Sequence, residues 1–95
     1  MQFRWDDRKN RANRRKHGIS FTTAVLVFDD PCHLSWQDRE VEGESRWQTI
    51  GMVNGVYVVV VAHTVGGTNG YEETIRIISA RKATPQERRI YAEGI

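Results

Sequence analysis

Ninety-five residues, 39% of them hydrophobic and including three Trp, three Tyr and three Phe, bound the chain to one domain over residues 1–95 with a modest core and exclude wholesale disorder. A single cysteine, Cys32, excludes an internal disulfide and a cysteine-based zinc site, and the lack of any signal peptide or 18-residue apolar run predicts a cytoplasmic protein that does not enter a membrane. The net charge of +2 is segregated: residues 1–17 carry seven Lys/Arg against two Asp, residues 18–75 two Arg against eight acids, and residues 76–95 five Lys/Arg against two Glu, so that both basic blocks, merged in the fold, would favour a polyanionic partner.

Met1 to Trp5 alternates apolar and polar residues and predicts a short strand with Phe3 and Trp5 inward. Asp6 is the expected cap of a helix running to His17, stopped by Gly18. Its one plainly apolar residue is Ala12 and its cations go all the way round, so it has little face to bury. Lys9, Asn13, Lys16 and His17 line one side at helical spacing, placed to face a phosphate backbone. Ser20 caps a second helix, with Ile19 stapling onto Ala24 and Phe21, Ala24, Val25 and Phe28 on its packing side, ended by Asp29-Asp30-Pro31. Cys32 to Gln37 predicts a strand. Cys32 itself, with no cationic neighbour in sequence, is expected to be buried. Asp38 to Glu44 reads as an acidic loop.

Asn54-Gly55 between the apolar runs Ser45–Met52 and Val56–His63 is a strong hairpin signal. A two-residue turn there pairs Val53 with Val56, Ile50 with Val59, and Arg46 with His63, with Glu44 one step further on the face of Arg46. Val58 to Ala62 predicts a central strand buried on both sides, and Thr64 to Glu73, with Gly66, Gly67 and Gly70, a long flexible connection. The Ile-rich run from Thr74 is a strand on which Arg76 points opposite to Ile75 and Ile77, onto a face open to an anion or paired with an acid such as Glu44. Arg81 and Lys82 lie at its end, and Thr84-Pro85-Gln86-Glu87 is a capping box opening a last helix to about Ala92. The fold class is α+β: a small antiparallel sheet with two N-terminal helices and one C-terminal helix on one face.

Cleaving a phosphodiester in RNA needs a base for the 2′-hydroxyl, an acid for the leaving 5′-oxygen, and cations for the charge that builds on phosphorus. Glu44, Arg46, His63, Arg76 and Arg81 supply all of these without a metal: His63 or Glu44 as base or acid, and the three arginines as bidentate phosphate clamps. Lys9, Lys16, His17, Lys82 and Arg88 are the candidate RNA-binding residues. The scattered His17, His33 and His63 have no metal-ligand spacing, and no phosphate-cradling glycine loop or nucleophile elbow is present. Trp5, Trp36 and Trp47 could stack bases, but large aromatics in a domain of this size usually belong to the core. The same basic face would also serve a module that binds nucleic acid or protein and cleaves nothing.

Phe3-Arg4-Trp5-Asp6, Lys9, Asn13, Lys16-His17-Gly18-Ile19-Ser20-Phe21, Val27-Phe28-Asp29-Asp30, Glu44-Ser45-Arg46, Ile50-Gly51 and Ile75-Arg76-Ile77-Ile78-Ser79-Ala80-Arg81-Lys82-Ala83 together resemble the BrnT family of toxins from type II toxin–antitoxin systems. The resemblance covers nearly the whole chain and implies a RelE-like ribonuclease fold and endoribonuclease activity that halts translation; no cofactor is expected. It also implies a BrnA-type antitoxin with a ribbon-helix-helix part, through which the complex binds its operator DNA. The family's motif positions fall on Lys16, His17, Glu44, Arg46, Arg76, Arg81 and Lys82. The chain departs from the family between Thr64 and Gly70, where a shorter turn containing Thr-x-Arg is usual, and His63 stands at the family's Tyr/His position before that turn.

Overall fold

The computed structural model describes residues 1–68 and 72–94, the side chains of Thr68 and Glu72 excepted. Its elements in order are strand β1 (Gln2–Arg4), helix α1 (Asp7–His17), helix α2 (Phe21–Ala24) continuing into a 3-10 turn (Val25–Asp29), strands β2 (Leu34–Val41), β3 (Glu44–Val53), β4 (Tyr57–Thr68) and β5 (Glu72–Lys82), and helix α3 (Pro85–Glu93). The strands form one sheet in the order β1-β5-β4-β3-β2. β1 runs parallel to β5, and every other pairing is antiparallel. As expected from its unbroken valine run, β4 is central, with Val58 to Val61 all buried.

Alternation divides the sheet into two faces. On one, Val53, Val59, Val61, Ile75, Ile77 and Ala80 meet Ile19, Phe21, Ala24 and Val27. Burial of Phe21, Ala24 and Val27 repeats every three residues, the period of the 3-10 turn into which the helix tightens. Gly51 lets that turn approach: a β-carbon there would stand 2.8 Å from the Val27 carbonyl oxygen. The other face holds a smaller cluster, Ile50, Val58, Val60 and Ala83, against which Tyr91 of α3 packs. The helices therefore do not share one face, contrary to the simple α+β expectation. α3 has no fully buried residue. It is held by the Tyr91 hydroxyl on Asp30 Oδ2 at 2.5 Å and by the expected capping box at Thr84 and Glu87.

α1 solves its lack of an apolar face with amides. Asn13, expected on the phosphate-facing side, is buried. Its Nδ2 donates to the carbonyls of Ile19 (2.9 Å) and Ala80 (2.8 Å), and its Oδ1 accepts from Ala80 N–H (3.1 Å). β1 pairs with β5 only from Thr74 to Arg76, so the Asn13 amide satisfies the β5 edge that β1 leaves free. One turn earlier, Asn10 Oδ1 accepts from Phe21 N–H at 2.8 Å.

Four local expectations fail. Asn54 and Gly55 both have positive φ, as a tight hairpin turn requires, and Val56 N–H closes that turn on Val53 O at 3.1 Å. The ladder, however, pairs Val53 with Tyr57, which leaves Val56 in the loop. The whole register moves by one residue. The expected acidic loop from Asp38 is instead mostly strand, closed by Glu42-Gly43, both at positive φ. Thr64 to Glu73 is also largely strand; its residues 69–71 lie outside the described residues. Cys32, expected buried, is exposed, its N–H on Asp30 Oδ1.

β5 carries one further irregularity. His63 pairs with Ile77 and Ala62 with Ser79, so Ile78 has no partner across the ladder. This bulge resets the alternation, and Arg76 and Arg81, five residues apart, come to the same face.

Candidate nucleic-acid interface

The one-residue shift in the β3–β4 hairpin decides which side chains meet. Trp47, not Arg46, stands opposite His63. His63 therefore lies on the helix-covered face, 2% exposed, with its ring edge-on to Phe28. Its Nδ1 lies 3.2 Å from the Thr64 carbonyl, which can only accept, so the proton sits on Nδ1. Nε2 then accepts from the Thr49 hydroxyl at 2.7 Å, and Thr49 accepts in turn from Ser35 at 2.7 Å. Burial pushes the His63 pKa down, and the Thr64 carbonyl only partly opposes this. The expected cluster of Glu44, Arg46 and His63 is therefore corrected: the histidine is a neutral core group on the opposite side of the sheet.

The sign of the resulting pH dependence follows. Between its depressed folded pKa and the ordinary value of 6.5, His63 binds fewer protons folded than unfolded. Its contribution to stability is present above about pH 6.5 and is lost as pH falls through the folded value. Thermal unfolding followed from about pH 7.5 to about pH 5 is expected to show the melting temperature dropping, and His63→Gln to flatten that drop. An equal drop in the variant would assign it to other groups.

The rest of the expected cluster does assemble. Arg46 and Arg76 lie on the open face of the sheet, and Glu44 stands between them. Glu44 Oε1 accepts from Arg76 at 2.5 Å and lies 3.6 Å from Arg46. The Arg46 Nε is buried and has no hydrogen-bond partner, so this guanidinium retains an unused donor. Sequence alternation had placed Arg76 opposite its isoleucines and named Glu44 as a partner; both hold.

Arg81 shares the open face, opposite Val60, but is committed elsewhere. It forms a bidentate pair with Glu87 of α3, at 2.6 and 2.9 Å. Hydrogen bonds from Arg81 hold the Glu87 carboxyl down at about 2, and the Arg81 pKa rises in return. Lys82 faces the other way, its ammonium 5.6 Å from the centre of the Tyr57 ring. Arg88 donates to the Ala83 carbonyl at 3.1 Å. Lys9 and Lys16 are exposed on α1 and His17 is half-buried; no hydrogen bond or ion pair among the described residues joins them to Glu44, Arg46 or Arg76. Among the described residues no group of three or more His, Cys, Asp or Glu is arranged to hold a metal, and no helix is long and apolar enough to cross a membrane.

Sequence reading missed Arg4 and Arg39. Arg4 pairs in register with Arg76, and Arg39 with Arg46. Arg4 was legible as the outward residue of a short strand. Arg39 was hidden in a stretch read as loop.

A small, mostly antiparallel sheet with helices packed on it and an arginine-rich open face defines a RelE-like α+β protein. Its family follows from the sequence: residues 5–87 match the family described as ribonuclease toxin, BrnT, of type II toxin–antitoxin system. The chain belongs to the BrnT family. Its fold is similar to the 1.1 Å crystal structure of the Brucella abortus ribonuclease toxin BrnT, with a TM-score of 0.67 and 24% identity over 88% of this chain and 97% of that one. No curated protein matches it. Membership implies a cognate antitoxin.

Proposed function

We propose that this protein is an endoribonuclease toxin acting in the cytoplasm, which cleaves RNA without a metal to block translation and is neutralised by a BrnA-type antitoxin. The observation that carries the reading is the Glu44 carboxylate held between Arg46 and Arg76 on an open sheet face. Glu44 accepts the proton of the 2′-hydroxyl. The 2′-oxygen attacks phosphorus, the bond to the 5′-oxygen breaks, and the departing oxygen takes a proton from water on this exposed face. A cyclic phosphate and a free 5′-hydroxyl result. Arg76 and Arg46 meet the charge that grows on the phosphoryl oxygens. Arg81 anchors α3 through Glu87, and His63 supports the sheet from behind. The exposed Lys9 and Lys16 attract RNA from a distance. The antitoxin acts by covering the arginine face, and its ribbon-helix-helix part carries the complex to operator DNA.

The test is cleavage of end-labelled RNA in EDTA by the wild type and by Arg76→Ala. Cleavage by the wild type, reduced about 10²-fold or more in the variant, is expected. Binding without cleavage, with or without ribosomes, would leave a binding module.

A further inference from the structure

Two cross-strand pairs of the open face join arginine to arginine. Arg4 pairs with Arg76 between β1 and β5, and Arg39 with Arg46 between β2 and β3. Like charges placed directly opposite on a sheet oppose folding, and this sheet does so twice on one face. Thr64 of β4 pairs with Arg76, so the five strands carry Arg4, Arg76, Thr64, Arg46 and Arg39 across the sheet. At the usual strand spacing the row is about 19 Å long. Among the described residues its one internal counter-charge is Glu44. Asp38, at the bulge of β2, accepts from Gln48 Nε2 at 3.0 Å. Arg4 and Arg39 are exposed and form no ion pair among the described residues. One step along β2 from this row, Trp36 pairs with Gln48 on the same face and is 37% exposed, which puts an aromatic surface beside a line of cations.

We propose that the open face is a track for single-stranded RNA that crosses the strands at right angles, with Arg4 and Arg39 holding phosphates on either side of the scissile one and Trp36 stacking a flanking base. This rests on the reading of Glu44, Arg46 and Arg76 as the cleavage site and assigns the residues that position substrate there. An anionic backbone crossing four arginines relieves the repulsion that the two pairs build into the empty sheet. An aromatic platform beside a cationic groove is the combination that binds single strands without sequence preference.

The experiment measures the affinity of a short 2′-O-methyl RNA, which lacks the attacking hydroxyl, as a function of salt. The proteins are the wild type, Arg4→Gln, Arg39→Gln, Trp36→Ala, and Arg11→Gln on α1 as the comparison. Arg4→Gln and Arg39→Gln are each expected to lower the slope of log affinity against log salt by about 0.7, the value for one phosphate contact to a single strand. Trp36→Ala is expected to lose affinity about tenfold with an unchanged slope, and Arg11→Gln to behave as wild type. With cleavable RNA, the two arginine variants raise KM and leave kcat within about twofold, because their contacts are alike in ground and transition states. Trimming the RNA from one end removes the effect of one arginine, and trimming from the other end removes the effect of the other. Wild-type slopes in both variants would overturn the track, as would a slope lowered by Arg11→Gln alone, which would put the RNA on α1. Because the binding arm needs no catalysis, a protein that shows these slopes and cleaves nothing keeps the track and loses the nuclease reading. A protein that cleaves while the variants match wild type does the reverse.

Discussion

Replacing Glu44 with glutamine is expected to lower RNA cleavage about 10²-fold or more while leaving the fold and RNA binding intact. Glutamine has nearly the same shape, and its carbonyl still accepts from Arg76, which now donates to the carboxylate at 2.5 Å. What it cannot do is take the proton from a 2′-hydroxyl. Single-turnover cleavage separates this loss from weaker binding. His63→Gln is the natural companion, since His63 lies behind the sheet and 2% exposed; its cleavage is expected near wild type after correction for the folded fraction. If Glu44→Gln cleaved at the wild-type rate, the carboxylate would be only a spacer between Arg46 and Arg76. If His63→Gln alone lost activity with its fold intact, the chemistry would lie on the other face.

The second large effect is on stability. Asn13→Ala is expected to destabilise the protein by about 3–5 kcal/mol, because it strands the Ala80 N–H, the Ala80 carbonyl and the Ile19 carbonyl, at about 1–3 kcal/mol for each unmet buried group. All three bonds are buried. Asn13→Asp is no remedy: it keeps an acceptor for Ala80 N–H but turns a carboxylate oxygen toward two carbonyls. Urea unfolding should show a lower midpoint at unchanged slope. A loss below about 1 kcal/mol would mean that water takes the place of the amide.

Asn13 also shows where a sequence stops being legible. Capping and periodicity are local, and they placed α1, the Ser20 cap, the capping box at Thr84 and the central strand β4 where they lie. The bond from Asn13 to Ala80 spans 67 positions, and nothing near Asn13 announces it. The sole hint was negative: a helix without an apolar stripe must be tied down by something else. The hairpin failed for a different reason. The turn chemistry of Asn54-Gly55 was read correctly, but the number of residues in the loop was not, since Val56 is apolar and looked like strand. That single residue separates a histidine in an active site from one in the core. The arginine face was half visible: Arg46 and Arg76 sit on strands with clear alternation, whereas Arg39 lies beyond an irregularity between Gln37 and Arg39 that no local pattern marks.

The bulge at Ile78 gives β5 two phases of alternation. From Thr74 to Ile77 the odd-numbered residues enter the helix-covered core, and from Ser79 to Lys82 the even-numbered ones turn to that side. The faces of Arg76 and Arg81 therefore agree only while Ile78 stays out of the ladder. Drawing Ile78 into the ladder as an ordinary paired residue would, with Arg76 held in place, send Arg81 toward the packed side and Ala80 toward the open one. Arg81 could then no longer clasp Glu87, and Ala80 would be turned from the place where Asn13 meets it. One supernumerary residue thus synchronises three attachments made at different points of the chain: the phosphate-facing guanidinium, the clasp of the last helix and the bracket of the first.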